Sequence, residues 1–133
     1  MSEDEEKKHL ILYLGDDHKY YDNLKKSYAK YFKSIAFEHV THSVEGPADV
    51  QSIVHKVNSI KPAIIFLDFS KYMLEYLHLS RILTRLNSTR SITKVGLIDM
   101  NQNIKEVKDT YLTGLRICHV KSTEIHDVIF DSV

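Results

Sequence analysis

Short strand-like segments alternate along the chain with stretches in which apolar side chains recur every third or fourth position. The most compact segment is Ala63-Ile64-Ile65-Phe66-Leu67, set off by Lys61-Pro62 in front and closed by Asp68-Phe69-Ser70. So short an apolar run between a breaker and polar residues reads as a strand buried on both faces, which belongs in the middle of a parallel sheet. Leu10 to Leu14 is a second such run, ending at Gly15-Asp16-Asp17. Ala36 to Thr41 alternates like a strand nearer the edge, with Phe37 and Val40 as its apolar positions. Val95 to Ile98, ending at Asp99, and Leu115 to Val120, followed by Lys121, complete the set.

Helical spacing fills the gaps. Tyr20, Tyr21, Leu24, Tyr28 and Phe32 share one side of a first helix, and Val50, Ile53, Val54, Val57 and Ile60 form the stripe of a second. Pro47 suits that helix's first turn and Pro62 ends it. A third helix is predicted over about Tyr72 to Leu86, with Tyr76, Leu79, Ile82, Leu83 and Leu86 facing inward, before Asn87-Ser88-Thr89. Asn101 to Leu112 carries a thinner stripe of Ile104, Val107 and Tyr111, and Gly114 is placed to end it in a left-handed turn. A short helix from about Thr123 to Phe130 closes the chain.

Five strands alternating with five helices imply right-handed crossovers and a parallel sheet covered on both faces. The residues that end the strands then matter most: Asp16, Asp68, Asp99 and Lys121. In a doubly wound sheet of order 2-1-3-4-5 these four converge on one edge, at the switch point between the first and third strands.

Composition narrows the function. With 133 residues the chain suits one domain, and 18 basic against 18 acidic side chains (pI near 7.1) give no bulk electrostatic case for nucleic acid or an anionic membrane. The single cysteine, Cys118, excludes an internal disulfide and reads as a core thiol. No apolar run approaches the roughly 18–20 residues that span a bilayer. Residues 1–8 read as a charged leader and 9–133 as the domain, soluble and cytoplasmic. His39 and His42 point to opposite faces of a strand, which argues against a metal pair. No glycine cradle for a nucleotide follows Leu14, and a dehalogenase-type phosphatase needs a second acid where this chain has Ser70. Locally, Asp16 can cap the first helix or ligate a metal, Asp99 can cap the fourth, and Asp68 can cap a loop or pair with Lys121.

Three strand-end carboxylates and a lysine in this order resemble the receiver domain of two-component response regulators, of flavodoxin-like (βα)5 architecture. Asp68 matches the phosphoryl-accepting aspartate, Asp16 the second acid after the first strand, and Lys121 the lysine that contacts phosphate, seven residues beyond Gly114. Leu77 matches the first apolar position of the third helix. The resemblance implies magnesium held by Asp16, Asp68 and the carbonyl of Ser70, and a sensor histidine kinase as phosphoryl donor. It further implies an output domain or signalling protein as partner, with a homodimer as a further option, on the face of the fourth helix, fifth strand and fifth helix. Ile104, Val107, Tyr111 and Cys118 would carry that face.

The departures are as informative. Gly15 stands in place of the first acid, Asp99 in place of a hydroxyl residue, and Met100 in place of a small one. Cys118 replaces the switch aromatic, Ser122 replaces a proline, and Lys71-Tyr72-Met73-Leu74 replaces the loop after the aspartate. A carboxylate at position 99 repels an added phosphoryl group by up to ~4 kcal/mol at ~4 Å near a surface, more than the ~1 kcal/mol of a lost neutral hydrogen bond. The expectation is an atypical receiver working by protein contact, with magnesium binding weakened and phosphorylation of Asp68 weak or absent. The alternatives are a conventional phospho-accepting receiver and, more remotely, a small phosphatase.

Overall fold

The structure is a computed structural model that describes residues 9–29, 35–40, 47–99 and 116–132. Five strands form one parallel sheet: β1 (His9–Leu14), β2 (Ile35–Val40), β3 (Ile64–Asp68), β4 (Thr93–Ile98) and β5 (Arg116–His119), in the order β2-β1-β3-β4-β5. Among the described residues four helices connect and flank them: α1 (His18–Ala29), α2 (Pro47–Ile60), α3 (Phe69–Arg85) and the C-terminal α4 (Glu124–Ser132). The expected helix over Asn101–Leu112 lies outside the described residues, as do Phe32, Met100 and Gly114. No helix among the described residues is long and apolar enough to cross a membrane.

Strand alternation divides the core in two. Leu12, Leu14, Ile65, Leu67, Ile98 and Ile117 pack under α2 and α3, meeting Ile53, Val57, Leu79 and Leu83. Ile11, Tyr13, Ile64, Phe66, Leu97 and Cys118 pack under α1 and α4, meeting Leu24, Ile125, Val128 and Ile129. Successive side chains of a strand point to opposite faces, so an apolar run with no polar gap is what a sheet covered on both sides requires. On the described residues, the stripes of α1, α2 and α3 land as their spacing predicts, with one correction. Leu86 is 36% exposed, because α3 ends at Arg85 and the chain has already left the helix there.

The turn from α3 into β4 is held by a buried lysine. Lys94 Nζ donates to the carbonyls of Thr89 (3.1 Å), Arg90 (3.3 Å) and Ile92 (2.9 Å), while Thr89 Oγ1 donates to Leu83 O at 2.6 Å. Burial pushes the Lys94 pKa down, and the three carbonyls are what make the buried ammonium tolerable. Lys94→Met keeps the apolar stem and removes the donor, so it is expected to cost about 1–3 kcal/mol in urea unfolding. An unchanged midpoint would mean that water replaces the ammonium.

Candidate functional site

Asp68 is the last residue of β3, and α3 begins at the next residue. The sequence pattern places this helix start at Tyr72; the strand in fact runs into the helix with no loop between them. The cause is Phe69, fully buried against β4 beside Gly96, where a Cβ would run into its ring. Glycine is the only residue that leaves this notch open. Asp68 thereby occupies the N-cap position, which suits a carboxylate, and it is only 7% exposed.

Alternation puts Asp68 on the same face as Phe66, and Phe66 is the register partner of Tyr13 on β1. Tyr13 therefore lies one strand over and two residues below Asp68, about 6.6 Å along the strand, a span that a tyrosine side chain can bridge. Its hydroxyl donates to Asp68 Oδ2 at 2.6 Å. Burial, and then the Asp68 carboxylate, push the Tyr13 pKa far above the ordinary 10.0, so the phenol keeps its proton and remains a donor. Gly15 stands beside Asp68 on that same face. A Cβ there would sit 2.6 Å from the Tyr13 hydroxyl oxygen, 2.8 Å from its Cζ and 2.7 Å from the Asp68 Cβ.

An aromatic collar fixes Tyr13 in this pose. Its ring centroid lies 5.6 Å from Tyr20, 6.1 Å from Tyr21 and 5.0 Å from His39, spacings at which aromatic rings attract. His39 Nε2–H donates to the carbonyl of Gly15 at 2.7 Å, which ties β2 to the turn after β1. The cap of α1 falls to Asp17, whose Oδ1 accepts from the Tyr20 backbone N–H at 2.9 Å. Of the two readings left open for Asp16, the side-chain cap role thus goes to its neighbour.

The parallel sheet brings the ends of β1, β3, β4 and β5 to one edge, with Asp16 half-buried and Asp99 and Lys121 exposed. Asp16 and Asp99 follow the two strands that flank β3, whereas Lys121 follows β5, two strands away. Cys118 is fully buried on the face covered by α1 and α4. That removes it from the expected partner face and agrees with a core thiol, because a partner cannot reach a side chain beneath two helices. Ile104, Val107 and Tyr111 lie outside the described residues.

Magnesium demands near-octahedral oxygen ligands, usually one or two carboxylates among them. The residues present do not fit it well. Asp68 Oδ2 already accepts from Tyr13, Gly15 offers no side chain, and Ser70 lies in the first turn of α3, where a carbonyl points along the axis toward a later N–H. Among the described residues no group of three His, Cys, Asp or Glu side chains could hold a metal ion. Sequence reasoning missed Tyr13, Phe69, Gly96 and His39 as site residues. The available signal was the Tyr13-Leu14-Gly15 triplet, a large and a vanishing side chain on one face beside the aspartate.

Solved structures share this architecture. The signal receiver domain of a DNA binding response regulator from Colwellia psychrerythraea 34H matches with a TM-score of 0.71 at 16% identity, over 92% of this chain and 96% of its own. The N-terminal domain of a response regulator receiver protein from Methanoculleus marisnigri JR1 matches at 0.62 and 14%, over 92% of both chains. A sensor protein from Polaromonas sp. JS666 matches at 0.65 and 18%, over 94% of this chain and 98% of its own. No family model matches the sequence, and no curated protein is similar to it. The fold is that of response regulator receiver domains, a five-stranded flavodoxin-like α/β sandwich.

Proposed function

We propose that this chain is an atypical receiver-type module that acts in signal transduction through contacts with a protein partner, with phosphorylation of Asp68 weak or absent. The observation that carries the reading is the hydrogen bond from the buried Tyr13 hydroxyl to Asp68. A phosphoryl acceptor must present a free carboxylate oxygen to its donor and have a cation at hand to offset the incoming charge. Here the neutral phenol takes up part of that carboxylate, and Asp99, just after the neighbouring strand, adds a further carboxylate to the same edge. The partner is a signalling protein or output domain rather than nucleic acid or membrane, in keeping with the balanced charge. Its docking face is the one expected to carry Ile104, Val107 and Tyr111.

The test is direct. With magnesium and millimolar acetyl phosphate, a competent receiver attacks phosphorus with a carboxylate oxygen and releases acetate, gaining the mass of one phosphoryl group. Beryllofluoride mimics the product. The expected result is no adduct by intact mass and no chemical-shift change centred on Asp68. A stoichiometric adduct would overturn the reading in favour of a conventional, magnesium-dependent receiver addressed by a sensor histidine kinase.

A further inference from the structure

We infer that Tyr13 and Gly15 form a single steric interlock that withholds Asp68 from cation and phosphoryl ligands, and that this pair, rather than the altered residues at positions 99 and 122, is the principal block. The inference rests on the proposed function above and names the residues that produce it.

The geometry ties the two positions together. Tyr13 and Asp68 lie on one face of two adjacent strands, and a Cβ on Gly15, just past the end of β1, would meet both. The tyrosine ring crosses the space above position 15 to reach the carboxylate, and a Cβ at 15 would sit 2.6 Å from the hydroxyl, 2.8 Å from Cζ and 2.7 Å from the Asp68 Cβ. Any side chain at 15, an acid included, therefore requires Tyr13 to leave and the Asp68 Cβ to give way slightly. Conversely, Tyr13 can reach Asp68 only because position 15 is empty. The collar of Tyr20, Tyr21 and His39 prevents the ring from swinging aside, and the His39 bond to the Gly15 carbonyl fixes the backbone beneath it. The phenol serves as an internal neutral substitute for an external ligand of Asp68. Loss of an acid at 15 and gain of a tyrosine at 13 are thus one structural change.

Two measurements test this. In the first, Gly15→Ala is made in the wild type and in Tyr13→Phe and Tyr13→Leu backgrounds, and urea midpoints are compared. Phenylalanine keeps the ring carbon that meets the new Cβ, whereas leucine removes it. Gly15→Ala should therefore lower the midpoint strongly in the first two and clearly less in the third, where the Asp68 Cβ still crowds the new methyl but the ring does not. Equal losses in all three would overturn the interlock. Should the leucine background fail to fold, Tyr13→Val provides the ring-free reference. In the second, the Tyr13→Leu/Gly15→Asp double variant is treated with magnesium and beryllofluoride. It should form a stoichiometric adduct centred on Asp68 under conditions where the wild type forms none. If the wild type itself forms the adduct, the proposed function fails at its root. If neither chain does while the double variant is folded, the proposed function stands and the principal block lies outside positions 13 and 15.

Discussion

Replacing Phe69 with alanine is expected to destabilise the domain by about 3–5 kcal/mol, the range for deleting a fully buried aromatic ring. That is a large part of the ~5–15 kcal/mol by which a domain of this kind is stable. The side chain is inaccessible to solvent and lies against the bare backbone of Gly96, with Ile117 on the far side of the same notch. Gly96 itself offers no side chain to fill the space. The loss should be visible in urea unfolding and, more specifically, in early loss of amide protection in the first turn of α3. Filling the notch from the other side makes a paired control. Gly96→Ala should destabilise the wild type, since its Cβ meets the Phe69 ring, and should cost less in a Phe69→Leu background. A loss below about 1 kcal/mol for Phe69→Ala, typical of a position that relaxes freely, would mean that Phe69 does not set the start of α3.

Asp68→Ala is the second change with a large expected effect, and its sign is diagnostic. In a pocket of crowded carboxylates, removal of one relieves repulsion and stabilises. Here the carboxylate is the acceptor for a fully buried tyrosine hydroxyl and stands at the N-cap position of α3, so its removal should destabilise by about 1.5–3 kcal/mol, the range for a hydrogen bond to a charged group. Asp68→Ala in a Tyr13→Phe background should cost markedly less, because no hydroxyl is then stranded. The difference between the two costs is the coupling energy of the pair. A stabilising Asp68→Ala would show that charge repulsion outweighs the tyrosine bond, and the account of the site would fall with it.

Function at this edge follows from a choice the fold leaves open. Receiver-type architecture supplies a carboxylate at the end of a central strand, and what the chain does there depends on which neighbours reach it. In this protein the first neighbour is a phenol from the adjacent strand, held by three aromatic side chains. On the proposed reading, Asp68 stays with this neighbour and the module presents a fixed face to a partner. The conventional reading requires the opposite, a carboxylate open to solvent and metal.

The sheet order was an expectation of the family resemblance that the strand pairing bears out; the linear chain by itself determined the alternation of strands and helices and the two-faced core. Those properties depend on burial repeating at short intervals, which local spacing records: Ile64 to Leu67 and the stripe from Val50 to Ile60 land where their periods put them. It also placed Asp16, Asp68, Asp99 and Lys121 at one edge, because every strand of a parallel sheet ends on the same side. The start of α3 escaped it, since Phe69 is seated by Gly96, a residue from a different strand. So did the fate of Asp68. Its partner is 55 positions away in the sequence, and only the pairing register of β1 with β3 brings a tyrosine hydroxyl to within 2.6 Å. Contacts across strands depend on register, stagger and the volume left by glycine. None of these has a local periodic signature, so they come into being only when the sheet forms.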